Sequence, residues 1–117
     1  MPSRPELLHV FRAVAASVAG RLDFPYDAVD DLRLAVDEAC AQLLAVRGDS
    51  SKLEMAISES PDEVSVQVVL HDPGGAWPPE GLSRTLAWQV LTALADEAAF
   101  GMDGQGPMVS IVKRVQR

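Results

Sequence analysis

The sequence predicts an α+β fold, a two-layer α/β sandwich in which helices cover one face of a β-sheet. Two stretches, 5–19 and 27–44, carry apolar residues at the i, i+3, i+4, i+7 spacing of an amphipathic helix. Residues 53–70 instead alternate apolar and polar side chains, which is the period of a strand with one buried face. For a chain of 117 residues, we expect one domain over residues 1–117.

The charge balance bears on the class of partner. Seventeen acidic against ten basic residues give a net charge of −7. Nucleic-acid binding depends on clustered Lys and Arg, so this balance argues against a nucleic-acid partner and favours a basic protein.

The compartment follows from the cysteine count and from the hydropathy pattern. The single Cys40 cannot form an internal disulfide and falls on an apolar helical stripe, so we expect it to pack as a small hydrophobe. There is no signal-like N-terminus, and no apolar run approaches the roughly twenty residues of a bilayer span. We therefore expect a cytoplasmic protein that does not enter a membrane.

The first predicted helix runs from Pro5 to Ala19. Ser3 and Glu6 have the spacing of a capping box, and Gly20 is a candidate left-handed stop. Its apolar stripe comprises Leu7, Leu8, Phe11, Val14, Ala15 and Val18.

The second predicted helix runs from Asp27, as its N-cap, to Leu44, and Gly48–Ser51 is expected to end it. Asp30 and Asp31 complement its positive N-terminal dipole. Its apolar stripe comprises Ala28, Val29, Leu32, Ala35, Val36, Ala39, Cys40 and Leu43.

Two strands should follow as a hairpin, joined by a turn at Pro61 and Asp62. Ser65 and Gln67 should lie on the face away from the helices. The inward positions are Leu53, Met55, Ile57, Val64, Val66, Val68 and Leu70.

The C-terminal third begins with a Pro-rich loop, Ala76–Gly81, and ends with a strand at Met108–Val112 after a turn in GMDGQG. Between them we expect a helix with Trp88 at the margin of its stripe. That stripe comprises Ala87, Val90, Leu91, Leu94 and Ala98. The predicted order is therefore helix, helix, two strands, helix, strand.

Three polar residues are candidates for a site. Glu38 and Gln42 stand four apart, so they project from adjacent turns; the alternative is the solvated face of an amphipathic helix. Asp72 follows a predicted strand, where its carboxylate could meet a ligand or form an Asx-type turn cap. His9 and His71 lack any spacing of metal ligands.

LAVDEACAQLL, residues 34–44, resembles the first ATP-site motif of the GHKL (Bergerat-fold) ATPases, and most closely that of anti-sigma factor serine kinases of the RsbW and SpoIIAB type. The resemblance implies that Glu38 is a catalytic base and that Gln42 stands where an asparagine holds Mg²⁺. HDPGG similarly resembles the box whose aspartate, here Asp72, reads the adenine of ATP, with Gly74 and Gly75 after it. TLAWQVLTALADEAAFG and GPMVSIVKR are similar to the last helix and strand of this truncated Bergerat fold.

Several features depart from the family pattern. A long lid and a glycine-rich box are missing after Gly75, and Thr85 and Ala87 stand where glycines would let backbone N–H groups wrap phosphates. Gln42 adds a methylene to the expected asparagine, which displaces an oxygen relative to the tight octahedral geometry of Mg²⁺. Pro107 replaces a threonine near the adenine. These departures argue against binding of ATP and Mg²⁺.

The N-terminus departs as well. Family members usually open with a strand, for which Met1–Ser3 is too short, so the strand is lost or the start truncated.

The resemblance implies an anti-sigma factor that sequesters a sigma factor and is countered by an anti-sigma factor antagonist. Arg12 and Arg21 are candidate partner residues by their position on the first helix. The alternative is an active ATP-dependent serine kinase with Glu38 as its base. A third hypothesis is a nucleotide-independent homodimeric scaffold, in which Trp77 and Trp88 contribute to an exposed apolar patch.

Overall fold

The computed structural model describes residues 8–115. Its four strands form one antiparallel sheet in the order β1-β2-β4-β3, and the helices pack against it, which confirms the predicted α+β architecture. The elements are α1 (Leu8–Arg21), α2 (Tyr26–Leu44), β1 (Arg47–Ser60), β2 (Glu63–Pro73), a short 3-10 helix (Leu82–Arg84), α3 (Leu86–Leu94), β3 (Glu97–Asp103) and β4 (Gly106–Arg114).

α2 is the centre of the core, because it packs on α1, α3 and the strands. Six of its predicted stripe residues are at most 1% exposed: Leu32, Ala35, Val36, Ala39, Cys40 and Leu43. Ala28 and Val29 are only partly buried, at the margin of the same core. Burial of a Leu or Val side chain contributes roughly 1.5 to 3 kcal/mol, so this stripe is a main source of stability.

α1 ends differently from the prediction. The helix continues through Gly20, and the left-handed residue is Asp23, with φ 60°. The Phe24 N–H donates to the Ala19 carbonyl and the Asp23 N–H donates to the Gly20 carbonyl, both at 3.1 Å. This is the Schellman pattern, with buried Phe24 as its apolar anchor.

The predicted C-terminal end of α2 at Leu44 is confirmed, whereas its N-terminus differs from the prediction. Pro25 occupies the N-cap, and Asp27 lies inside the first turn without capping it. At the other end the helix stops at Leu44, and Gly48–Ser51 belongs to β1, at an irregular pairing with the end of β2. Three earlier expectations lie outside the described residues: the capping box of Ser3 and Glu6, Leu7 of the α1 stripe, and Met1–Ser3 as a stretch too short for the family's opening strand.

The β1–β2 hairpin is as predicted. Ser60 pairs with Glu63 across the turn at Pro61 and Asp62. The predicted inward residues of β2 are buried, whereas Ser65 and Gln67 between them are partly exposed.

The segment after α3 was predicted wrongly. Residues 97–103 form strand β3, and Ala98 pairs with Ile111 of β4 instead of extending the helix. The Ala and Glu content of this segment favours a helix, but pairing with β4 overrides that preference. In α3, Trp88 is 6% exposed and Val90 is 43% exposed, the reverse of the predicted placement.

Candidate functional site

Glu38 and Gln42 project together from α2, as their spacing requires. Gln42 Nε2 donates a hydrogen bond to Glu38 Oε1 at 3.2 Å, and both side chains are partly buried. The amide is thereby directed at the carboxylate of its own helix.

Asp72 lies at a turn that another residue holds in place. Its backbone is left-handed, with φ 56°, and its carbonyl accepts a hydrogen bond from Ser51 Oγ at 2.5 Å. The same Oγ accepts from the Gly48 N–H at 2.7 Å, and Ser51 is 5% exposed. Within residues 8–115 the Asp72 carboxylate makes no hydrogen bond, so it is not an Asx-type cap and remains open to solvent.

The glycines after Asp72 have a structural use. A Cβ on Gly74 would lie 2.8 Å from the Cα of Gly48, so two backbone segments cross there at a distance that only glycine allows. The N–H groups of Gly74 and Gly75 both donate to the Val46 carbonyl, at 2.8 and 3.2 Å. Neither N–H is therefore free for a ligand.

The predicted site residues lie at one end of α2 but are not joined. Val46, which anchors the turn, is four positions beyond Gln42 and eight beyond Glu38, the latter about 12 Å along a helix axis. Across the described chain, no hydrogen bond or ion pair links the Asp72 carboxylate to Glu38 or Gln42. Sequence reasoning missed Ser51 and Gly48, and no local signal marks them.

The N-terminus of α3 is capped by the protein itself. Thr85 Oγ1 accepts the Trp88 N–H at 3.1 Å and donates to the Leu82 carbonyl at 2.8 Å. One amide available for a phosphate is thus already used. Pro107, buried in β4, has no N–H to offer. Together with the Gln42 contact, these features do not fit Mg²⁺-ATP.

The two tryptophans are packed, so the predicted exposed patch was wrong. Trp77 is partly buried and donates its indole N–H to the Gly101 carbonyl at 2.9 Å. Trp77 and Trp88 both meet Phe100 edge to face, at centroid distances of 6.3 and 4.8 Å. These contacts tie the loop before α3 to β3.

Cys40 is buried, as predicted, within α2. Its thiol pKa is raised to about 12, mainly by burial and secondarily by the negative charge of Asp37, while Arg12 acts in the opposite direction. The thiol therefore stays protonated and unreactive near neutral pH. Residues 8–115 contain no cluster of His, Cys, Asp or Glu that could hold a metal ion.

An apolar groove of about 350 Å³ lies between α1 and the edge strand β1. Val14, 43% exposed, opens into it, and Arg21 and Glu59 face each other at 3.8 Å on its rim. Its other lining residues are Val18, Met55 and Ile57. Arg12 ion-pairs with Asp37 of α2 at 3.6 Å.

Among the helices described, none is long and apolar enough to cross a bilayer.

Comparison with known proteins identifies a domain family and several relatives. A sequence model of the histidine kinase-like ATPase domain matches residues 1–113. The anti-sigma-F factor RsbW of Mycobacterium tuberculosis (strain ATCC 25618 / H37Rv) is 35% identical over 115 residues, 92% of this chain but only 62% of the relative's own length. The serine-protein kinase RsbW of Bacillus subtilis (strain 168) is 30% identical, covering 99% of this chain and 73% of the relative. The Bacillus pumilus (strain SAFR-032) protein of that name is 26% identical.

Proposed function

This chain belongs to the histidine kinase-like ATPase domain family, and we propose that it is an anti-sigma factor that sequesters a sigma factor and is countered by an anti-sigma factor antagonist. The observation that carries the proposal is similarity to proteins named RsbW along nearly the whole chain. The contrast between an intact helix-and-sheet scaffold and a poorly fitting nucleotide site supports binding over catalysis.

The groove between α1 and β1 is our candidate for the sigma-factor contact. It combines an open apolar surface with the α1 cation Arg21 on its rim. Partly exposed valines such as Val14 could bury further apolar area on binding, at roughly 25 cal/mol per Å².

The second candidate is an ATP-dependent serine kinase, favoured by the Glu38–Gln42 pair and by the names of the Bacillus relatives. In that role Glu38 would be the general base, Gln42 would hold Mg²⁺, and Asp72, Gly74 and Gly75 would bind the adenine. The Val46 carbonyl and the Thr85 hydroxyl already accept hydrogen bonds from N–H groups that this role would use. We derive no phosphoryl-transfer step from such a site.

We further propose a single domain over residues 1–117, a cytoplasmic location and no nucleic-acid partner, in keeping with the acidic charge. A homodimer would suit β1, which is an edge strand within residues 8–115 and can pair with a further strand.

The test is isothermal titration of the purified chain against the sigma factors of its source organism, expected to give a nanomolar to micromolar Kd for one of them. Val14→Asp should weaken that binding at least tenfold. Val90→Asp on α3 is the matched control, since Val90 has the same 43% exposure, and it should leave binding unchanged. If the chain binds none of these sigma factors, the proposal is disproved.

The nucleotide question has its own measurement. A ligand at one hundred times its Kd stabilises a protein by about 2.7 kcal/mol. Because the candidate site does not fit Mg²⁺-ATP, a thermal unfolding scan with this ligand should show no shift in the unfolding temperature. A clear shift would favour the kinase.

A further inference from the structure

The outer edge of strand β1 is regular and lacks the usual devices that block pairing. From Lys52 to Ser60 the strand pairs residue for residue with β2, without a bulge. β1 is the outermost strand of the sheet, so within residues 8–115 no strand pairs with its other side. Proteins commonly block such an edge with a charged residue, a proline or a bulge, and the stretch Met55–Ser58 has none of these. Its outward backbone groups can therefore pair with a further strand.

The helical cover over the sheet stops short of this edge. Met55 and Ile57 lie on the inward face of β1 and are only partly buried. Their cross-strand partners on β2, Val68 and Val66, are 0% and 1% exposed. The same face of the sheet is thus fully buried one strand further in. A further strand beside β1 would extend that burial to the edge.

The two walls of the α1–β1 groove have a common spacing. Met55 and Ile57 are two residues apart on a strand, which is about 6.8 Å. Val14 and Val18, on the opposite wall, are four residues apart on a helix, which is about 6 Å. Alternate residues of an extended segment have nearly the same spacing, so two of its side chains on one face can contact both walls.

The charges around the groove are already paired with each other. Arg21 and Glu59, on its rim, face each other at 3.8 Å. Glu54 lies on the other face of β1, where its Oε1 is 3.1 Å from His71 Nε2. The groove therefore favours apolar side chains, because a charged one would lose its hydration there without gaining a free partner.

We propose that the β1 edge and the α1–β1 groove bind an extended segment of a partner protein that carries two apolar side chains at alternate positions. The segment pairs its backbone with Met55–Glu59 and inserts the two side chains between the α1 and β1 walls. A helix could supply the apolar side chains but not the backbone pairing, so the open edge selects a strand. A second copy of this chain would bring another net charge of −7, which favours a different protein as the partner.

This mode of binding rests on the proposed function in one respect, since it uses the groove assigned to the sigma factor. It adds the conformation of the bound segment. The probe below contains no sigma factor, so the two proposals can fail separately.

The probe is an acetylated, amidated heptapeptide of sequence STVTVTS, titrated into the isotope-labelled chain and followed by amide chemical shifts and hydrogen exchange. Saturable shifts should cluster at Val14, Val18, Met55 and Ile57. Exchange should slow at alternate amides between residues 55 and 59, those that point away from β2. The peptide STVVTTS has the same composition, but its valines point to opposite faces. It should bind about tenfold more weakly, because only one valine can enter the groove.

Methylation of the peptide backbone separates strand pairing from side-chain contact. The N–H groups of the two valines point to one edge of the extended peptide, and those of the threonines point to the other. One analogue is therefore N-methylated on both valines and a second on the last two threonines. Because only one edge of the peptide faces β1, one analogue should bind at least about tenfold more weakly and the other should bind like the parent peptide.

Variants of the chain then assign the groove. Val14→Asp should weaken the peptide at least about tenfold, because it places a charge in an apolar wall. Val90→Asp on α3 is the matched control, since Val90 has the same 43% exposure, and it should change nothing. Amide spectra of the free variants should confirm that each one folds.

Four results would each overturn the proposal. Three are equal binding of the two methylated analogues, equal binding of STVVTTS, and equal weakening by Val90→Asp. The fourth is slowed exchange at the same β1 amides when the protein concentration is raised without peptide, which would assign the edge to a second copy. If a sigma factor binds but leaves those amides unprotected, the strand mode fails for that partner while the anti-sigma proposal stands.

Discussion

The two ends of α2 are built in opposite ways. At its C-terminal end, two chain segments cross at Gly48 and Gly74, and the buried Ser51 hydroxyl joins both. At its N-terminal end, Tyr26, Asp23 and Asp27 are exposed, and neither of these two acids forms an ion pair within the described chain. The first end has the features of a structural joint, although it carries the motif that resembles a nucleotide box. The second carries no motif, and no ion pair or side-chain hydrogen bond of Tyr26, Asp23 or Asp27 holds it within residues 8–115.

This difference shows how a sequence motif can be present for a reason other than the function with which it is associated. The glycines of HDPGG are explained by a backbone crossing and by the Val46 carbonyl, so they need no nucleotide to account for them. Tyr26, which is 80% exposed, has no comparable structural explanation. If the C-terminal end is a structural joint and the N-terminal end is less stable than it could be, substitutions at the two ends should change the free energy of unfolding in opposite directions.

The largest effect should come from Gly74→Ala. The new Cβ would lie 2.8 Å from backbone that cannot rotate away, so the crossing must open. We expect the free energy of unfolding to fall by about 3 kcal/mol, the upper part of the range for overpacking. Urea denaturation measures it, with Gly75→Ala as control, because a Cβ there meets Val46 at an ordinary 3.5 Å. Equal stability of the two variants would mean that the crossing is not a joint.

Ser51→Ala should give the next largest effect. It removes the oxygen that links the Gly48 N–H to the Asp72 carbonyl, and leaves both groups with a lost partner near the core. We expect a loss of about 1 to 2 kcal/mol in the same denaturation experiment. Ser50→Ala, at the exposed neighbouring position, should stay within about 0.5 kcal/mol of the parent. A silent Ser51→Ala would show that the hydroxyl does not hold the turn.

The sequence predicts best those parts of the fold in which apolar residues recur with a regular period. The stripe of α2 was correct through Leu43, because a 3.6-residue period on a long helix has few alternative packings. Strand β3 was missed, because ADEAAFG has local helix preference and its pairing with β4 is set by tertiary contact. Asp23 was missed as the stop of α1 because Gly20 is the usual residue for that role.

The candidate site was less predictable than the fold. The side-by-side projection of Glu38 and Gln42 follows from helical geometry alone. The part played by Ser51 does not, because a serine in the Gly48–Ser51 stretch is typical of a solvated turn, and its burial depends on a segment that returns 21 residues later. A small groove lined by Ala16 of α1 and by Tyr26 and Val29 of α2 likewise forms only when the two helices pack together.

At the other end of α2, Asp23→Gly should stabilise the protein. Glycine adopts the left-handed conformation without a Cβ clash, and the change removes a carboxylate from the negative pole of α1. We expect a gain of about 0.5 to 1 kcal/mol, reduced somewhat by the greater chain entropy of glycine in the unfolded state. Asp23→Asn removes only the charge, so it should gain less. A loss of stability would mean that Asp23 contributes to the fold, and the contrast between the two ends would fail.

The smallest effect on stability should be that of Glu38→Ala, which lies between the two ends and separates the two proposed functions. The carboxylate is partly exposed and accepts one 3.2 Å hydrogen bond from Gln42, so its loss leaves the buried stripe intact. Alanine is also the best helix former. We therefore expect a change of no more than about 0.5 kcal/mol in either direction, with binding of the sigma factor unaltered.

The same variant decides between binding and catalysis, because a general base is worth typically 10²- to 10⁴-fold in rate. If the chain only sequesters its partner, neither the parent nor Glu38→Ala should transfer phosphate from ATP to a candidate antagonist, and the two should bind the sigma factor equally. Radiolabelled ATP and the purified antagonist provide the assay, and Asp72→Ala is the parallel variant at the other motif. Transfer by the parent that Glu38→Ala abolishes, with folding and sigma binding intact, would show that the helix retains a working base. In that case the crossing at Gly74 would have to be compatible with a bound nucleotide, and the C-terminal end of α2 would be both joint and site.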